Sequence, residues 1–339
     1  MFFSDEINKS NDKEIKEIRD FLNKYDVIYD NPDKTFVIRD SGKIIATGSA
    51  SGNILKYFFS DEEYQGQGTM SIIYNSLLNY LIESNIPSFF VFTTSCNKLI
   101  FESLGLTEVY STDRVALFEG GFYNYSKWIK EVKSSIKDKE GKRGAMVVNC
   151  NPMTLGHKYV IEKALENVDE LLVFVVEEDQ SIFPFIDRFN ILKNELSNND
   201  KITLIKGGPY IISQGTFPTY FIKRKDEMLD IYTKLDGSIF ADKIAKDLEI
   251  DIRFFGSEPT DVVTLAYNNS MKEILRSRGI EVKIFERKSL DDIVISASWV
   301  RKLIKEDRME EAFGYLPNST IEFLKSDKGS DVIKKIQGE

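Results

Sequence analysis

The stretch that decides the fold is Gly144 to Lys163, GAMVVNCNPMTLGHKYVIEK. Ala145 to Val148 is a short apolar run of the kind that forms a strand buried on both faces. Tyr159, Val160, Ile161, Ala164 and Leu165 fit the apolar face of a helix. Between them lies a turn, Asn149-Cys150-Asn151-Pro152-Met153-Thr154-Leu155-Gly156-His157. Pro152 keeps the helix from starting early, and Gly156 lets the backbone approach a ligand where His157 opens the helix. A helix N-terminus carries unpaired N–H groups and a partial positive charge, so this turn suits a triphosphate.

Working outward, Leu171 to Val176, Lys201 to Lys206, Ile250 to Phe255 and Glu281 to Phe285 read as strands alternating with helical patterns. That alternation predicts an α/β domain with a doubly wound parallel sheet, its ligand outside the carboxyl ends of the strands at the switch point. No G-x-x-x-x-G-K-[ST] or G-x-G-x-x-G occurs, so neither a P-loop nor a Rossmann dinucleotide site is expected. Four further segments fall where such a site is built. Phe183 to Arg188 sets Asp187 and Arg188 just ahead of a helix; Gly208 to Pro218 is a long loop of low charge. Phe255 to Asp261, with Gly256, Ser257, Glu258 and Pro259, follows a strand, and Val263 to Asn268 opens the next helix. Ile295-Ser296-Ala297-Ser298-Trp299-Val300-Arg301 opens a helix whose serines suit capping and phosphate, with Arg301 one turn on to reach the same anion.

The region before this is a different domain. Glu14 to Leu22 is helical, and Thr35 to Arg39, Lys43 to Ser49 and Asn53 to Phe59 read as antiparallel strands. Gln65-Gly66-Gln67-Gly68 then precedes a helix through Met70, Ile73, Leu77 and Leu81, a second anion-binding N-terminus. A strand (Pro87 to Thr94), a short helix (Asn97 to Leu104) and a last strand (Val115 to Glu119) follow. After a helix from Phe122 to Ile136, the charged run Lys137 to Arg143 marks the boundary, giving domains 1–136 and 144–339.

At 339 residues, 42% hydrophobic and 29% charged, the chain reads as a globular protein long enough for two cores. A net charge of -9 excludes a general nucleic-acid binder. Its apolar runs are too short to span a bilayer, and the start lacks the basic residues of a secretion signal. Cys96 and Cys150 make no disulfide framework, which places the protein in the cytoplasm. One histidine and two distant cysteines are too few for structural zinc; no metal site is expected beyond Mg2+ arriving with a nucleotide.

Thr154-Leu155-Gly156-His157 has the form [HT]-x-G-H and resembles the signature of the nucleotidyltransferase superfamily; Ile295-Ser-x-[ST]-x-x-Arg301 resembles its second signature. Gly66-Gln67-Gly68 resembles the pyrophosphate loop of GNAT acetyltransferases, with Glu63 in place of the usual Gln or Arg, and Asn97 to Leu106 resembles that family's second conserved segment, which implies a GNAT-like α+β fold for the first domain. The pairing of these two domains, the Pro209 to Pro218 loop and Gly-x-Glu-Pro together resemble the citrate lyase ligase family.

That resemblance implies ATP-dependent acetylation, by acetate through an acetyl-adenylate, of the thiol on the acyl-carrier subunit of citrate lyase. It implies His157, Arg301 and Lys158 at the phosphates. It implies Asn151, Pro152, Thr154, Gly156, Gly256, Ser257, Ser296 and Ser298 around the nucleotide. Gln65, Gly66, Gly68, Asn97, Asp187 and Arg188 are then candidates for substrate or for the carrier's coenzyme-A-like arm. Two other readings of the same residues are an adenylyltransferase acting on a phosphopantetheine-like phosphate ester and an acetyl-coenzyme-A-dependent acetyltransferase.

Overall fold

A computed structural model describes residues 2–177, 181–212, 228–257, 262–290 and 293–338. The chain divides into two compact units, Met1–Trp128 with Pro218–Ile231, and Ile129–Phe217 with Tyr232–Glu339.

In the first unit, β1 (Ser4–Glu6), β2 (Lys34–Asp40), β3 (Lys43–Ser51), β4 (Ile54–Ser60), β5 (Ser88–Thr94), β6 (Thr107–Ser111) and β7 (Val115–Gly121) form one sheet in the order β1-β2-β3-β4-β5-β7-β6. Its neighbours are antiparallel except β4 and β5, whose parallel ladder is only two residue pairs long. Such a mixed sheet with helices is the expected α+β arrangement. Helix α1 (Asp12–Asn23) buries Ile18, Phe21 and Leu22, and its N-cap Asn11 accepts from the Lys13 N–H. Helix α2 (Thr69–Glu83) buries Ile73, Leu77 and Leu81, which sit four residues apart, against the sheet. The short helix α3 (Lys98–Ser103) buries Phe101. Strands β1 and β6 have no counterpart in the sequence reading, because three and five residues carry too little periodicity to stand out.

Helix α4 (Tyr125–Ser135) contains the division between the units. The charged run expected as the boundary belongs to the second unit. Lys137 Nζ donates to the Asp200 carbonyl, Lys139 pairs with Asp251 at 2.8 Å and Lys142 pairs with Glu281. Arg143, 3% exposed, bonds Glu170 at 2.7 Å and the carbonyls of Leu248 and Lys137. A run that reads as solvated linker is thus the clamp on the amino ends of the strands.

The second unit holds a five-stranded parallel sheet of β8 (Arg143–Val148), β9 (Glu170–Val175), β10 (Ile202–Lys206), β11 (Ile252–Gly256) and β12 (Glu281–Phe285), ordered β10-β9-β8-β11-β12. The order reverses between β8 and β11, so the two strands diverge in connectivity where a ligand crevice is expected. Its helices are α5 (Leu155–Leu165), α6 (Phe185–Leu196), α7 (Met228–Ile239) from Tyr232 onward and α8 (Val262–Ser277). Every residue of β9 is buried, as a central parallel strand requires. A two-stranded ribbon, β13 (Ser289–Leu290) with β14 (Ile293–Val294), leads into α9 (Ala297–Lys305), α10 (Met309–Phe313), α11 (Asn318–Leu324) and α12 (Asp327–Gln337). These last helices share their own apolar cluster, in which Phe183, Val300, Leu303, Ile304 and Leu316 are buried.

Candidate active site

The turn after β8 closes itself before any ligand arrives. Thr154 is the N-cap of α5; its Oγ1 accepts the His157 N–H at 3.4 Å, while His157 Nδ1 accepts the Thr154 N–H at 3.1 Å and lies 2.9 Å from Thr154 Oγ1. The helix therefore begins at Leu155, and His157 sits in its first turn instead of opening it. A ring nitrogen that accepts a backbone N–H holds no proton, so the neutral imidazole carries its proton on Nε2. Burial, and after it the positive charge of Arg287, push the His157 pKa down to about 4. At neutral pH the ring is an uncharged donor fixed in one tautomer.

Gly156 serves a close approach of backbone to backbone: a Cβ there would stand 2.6 Å from the Ile295 carbonyl oxygen. The two signature segments thus touch through backbone, which only glycine permits. On the far side of the turn, Arg301 donates to the Asn151 carbonyl. Asn151 Oδ1 in turn accepts the Phe183 N–H at 3.0 Å, and the Asn151–Pro152 peptide is cis. Cys150, in the same turn, is buried, and that burial pushes its thiol up to about 12 despite Arg188 pulling it down; it stays protonated and is no nucleophile.

These elements face a cavity of about 360 Å³ at the carboxyl ends of β8 and β11, within the range of small-molecule sites. Asn149, Gly156, His157, Val160 and Gly256 line it, as do Arg253, Arg287 and, from α8, Thr264, Tyr267 and Asn268. Asn268 Nδ2 donates to the Gly256 carbonyl at 3.2 Å. The α8 residues fall within the expected segment Val263 to Asn268, whereas Arg253 and Arg287 escaped the sequence reading, since no local pattern separates a lining arginine from a solvated one.

The remaining expected site residues are spread wider. Ser296 is the N-cap of α9, accepting the Trp299 N–H, with Ser298 Oγ 3.0 Å from its hydroxyl. Ser257 Oγ accepts the Arg287 N–H at 3.3 Å. Neither these serines nor Arg301 is among the residues lining the cavity. Lys158 lies outside it too: its ammonium bonds Glu195 at 2.6 Å, and the other oxygen of that carboxylate accepts the Ser319 hydroxyl at 2.8 Å. Arg188 is fully buried and donates to the carbonyls of Phe183 (3.0 Å), Asn149 (2.7 Å) and Val176 (3.0 Å), so it braces the turn from behind. Asp187, also buried, lies 3.8 Å from Lys328. Glu258, Pro259 and the Ser213 to Pro218 part of the low-charge loop lie outside the described residues. Among the described residues no group of three or more His, Cys, Asp or Glu side chains could hold a metal ion, and no helix is long and apolar enough to cross a membrane.

In the first unit, Gly66 and Gly68 have φ of +75° and +81°, and Gly68 caps α2 with no side-chain bond. Gln65 to Gly68 are exposed. Asn97 Nδ2 donates to the hydroxyls of Thr93 and Thr94, holding the end of β5.

The model of the citrate lyase ligase C-terminal domain matches residues 143–324. [Citrate [pro-3S]-lyase] ligase of Klebsiella pneumoniae is 33% identical over 83% of this chain and 84% of its own length. The Escherichia coli (strain K12) protein of the same name is 32% identical over 94% of this chain and 93% of its own length. A solved structure, the ribosomal-protein-S18-alanine N-acetyltransferase of Escherichia coli, covers 36% of this chain and 94% of its own at 14% identity and a TM-score of 0.29. With its second unit matched by the family model and most of its length shared with curated members, the chain belongs to the citrate lyase ligase family.

Proposed function

We propose that this protein is an AMP-forming acid–thiol ligase that acetylates the thiol of the acyl-carrier prosthetic group of citrate lyase, with ATP and acetate as its other substrates. The observation that carries the reading is His157, a neutral, tautomer-locked donor on a cavity at the switch point of a parallel sheet. Charge that grows on the α-phosphate and on leaving pyrophosphate needs fixed donors, and a group already neutral at working pH has no proton to gain or lose first.

In the first step an acetate oxygen attacks the α-phosphorus, the bond from that phosphorus to pyrophosphate breaks, and acetyl-adenylate remains. In the second, the carrier thiol, releasing its proton to solvent, attacks the acetyl carbon, and AMP leaves. Mg2+ enters as part of the nucleotide substrate, held by its phosphates. The chain's own task is positioning: the Gly156 N–H in the first turn of α5 and His157 Nε2–H meet the phosphates, while Arg301 and Arg188 hold carbonyls of the turn. Arg287 adds positive charge at the cavity wall. The first unit, with Gln65, Gly66, Gly68 and Asn97, receives the carrier's coenzyme-A-like arm.

The test is acetate-dependent exchange of labelled pyrophosphate into ATP. Wild type exchanges only with acetate present, and His157→Ala loses about 10²- to 10³-fold in rate, the usual cost of one donor to a developing charge. Exchange supported by phosphopantetheine in place of acetate would overturn the reading in favour of a plain adenylyltransferase.

A further inference from the structure

Arg253 is the group in this cavity that a nucleotide turn does not call for. It stands on β11, 2% exposed, and lines the cavity with Phe255. Its Nε is buried without a hydrogen-bond partner, its Nη1 reaches the Met271 sulfur at 3.7 Å, and the Tyr267 hydroxyl is the guanidinium's one oxygen neighbour among the described residues. No ion pair to it is formed among the described residues. What surrounds the guanidinium is aromatic: its centre lies 4.0 Å from the Phe240 ring centroid and 4.9 Å from that of Phe255. Phe240 is brought there by a π-helical turn, Phe240–Ala245, that continues α7, and single π-turns in helices recur at functional sites.

A buried cation with so few partners is costly unless an anion completes it. Asp236, 3% exposed, feels the Arg253 charge but is already committed. Tyr267 donates its hydroxyl to Asp236 at 2.6 Å, and Tyr232 stacks on Tyr267 with centroids 5.7 Å apart. Burial raises the Asp236 pKa, and the Arg253 charge, the Tyr267 bond and the Ile212 N–H work against that rise. Ile212, Tyr232, Phe255 and Tyr267 all line the same cavity as His157. The wall therefore offers one under-partnered guanidinium amid apolar and aromatic surface.

We propose that Arg253 is the binding residue for the small monocarboxylate substrate, its short alkyl end resting against Ile212, Tyr232 and Phe255. A carboxylate held through one oxygen keeps the other available for attack on the nucleotide. A second carboxylate on the substrate would bring negative charge toward Asp236, which selects against diacids. This assignment rests on the ligase reading above, and it names the part of the site that handles the acid.

The test uses the full chain, with Arg253→Met and Arg253→Lys assayed by acetate-dependent pyrophosphate exchange. Charged hydrogen bonds of this kind set the scale, so KM for acetate should rise about 10- to 100-fold in Arg253→Met. The rise should be smaller in Arg253→Lys, which keeps the charge and loses the fork, and KM for ATP should be unchanged in both. An unchanged KM for acetate overturns the proposal, as does a raised KM for ATP alone, which would assign Arg253 to the nucleotide. On the unmodified protein, a crystal grown with acetate and α,β-methylene-ATP should show acetate at the guanidinium; acetate bound elsewhere in the cavity overturns the assignment whether or not the variants fold. Wild-type exchange that needs no acetate overturns the ligase reading itself, whereas acetate-dependent exchange with normal variants overturns only the role of Arg253.

Discussion

Two helix entrances in this chain look alike in sequence and differ in build. Helix α5 follows a turn whose cap, Thr154, and third residue, His157, satisfy each other, with Arg188 and Arg301 bonded to the turn's carbonyls. Helix α2 follows an exposed glycine turn whose cap, Gly68, makes no side-chain bond, and Asp61, Glu62 and Glu63 precede it. Both ends share the same backbone polarity. The first is embedded, its donors aimed by tertiary contacts and its surroundings cationic; the second is open to water, with carboxylates nearby that oppose a phosphate. A helix N-terminus is thus only a starting condition, and what closes around it decides how firmly it holds an anion.

The sharpest way to break this contrast is to remove the brace behind the histidine turn. Arg188→Ala would leave three carbonyls, two of them buried, without their donor and a cavity in the core, and should cost about 3–5 kcal/mol in urea-unfolding free energy. A loss below about 1 kcal/mol would mean that the turn stands without it.

The sole histidine gives the next effect. The unfolded chain takes up a proton as pH falls through about 6.5, whereas folded His157 resists until about pH 4, so the unfolded state binds more protons across that window. Stability should therefore fall as pH is lowered from 7 to 4, by about 3 kcal/mol more in wild type than in His157→Gln. Equal pH slopes for the two proteins, from urea titrations at several pH values, would show that His157 is not held neutral.

At the other entrance the expected change is smaller. Gly68→Ala places a side chain at φ +81° in open space, so backbone strain alone acts and stability should fall by about 1 kcal/mol. Acetate-dependent pyrophosphate exchange should be unaffected, and a loss of exchange there would make the glycine turn part of the adenylation site. Smallest of all, Lys158→Met should cost under about 1 kcal/mol, because the ammonium it removes is 37% exposed. Its KM for ATP should stay near wild type; a rise of tenfold or more, on the order of 1.4 kcal/mol, would return Lys158 to the phosphates.

Much of the architecture is readable from the chain alone. The runs at Leu171 and Ile250 became β9 and β11 nearly to the residue, because strands buried on both faces leave largely apolar sequence, and Glu281 to Phe285 became the less buried edge strand β12. The strand–turn–helix at residues 144–163 was legible, but its cap was not: His157 is expected from sequence to open the helix, and the fold starts it at Leu155 with Thr154 as cap. Partner choice was not legible either. Lys158 and Arg188 have the composition of ligand contacts, but the first found Glu195, 37 positions away, and the second found three carbonyls. Arg253 drew no notice in a strand pattern and stands, in the fold, on the cavity wall.

Sequence by itself determined the two-unit plan, the parallel sheet, the place of the switch point and the histidine turn, since each depends on periodicity or on contacts within a few residues. Only the tertiary structure decided which cations face the cavity and which serve the scaffold, and why position 156 must be glycine: the Ile295 carbonyl lies against it. Those outcomes depend on contacts between residues far apart in the chain, whose geometry exists only once the strands and helices have packed.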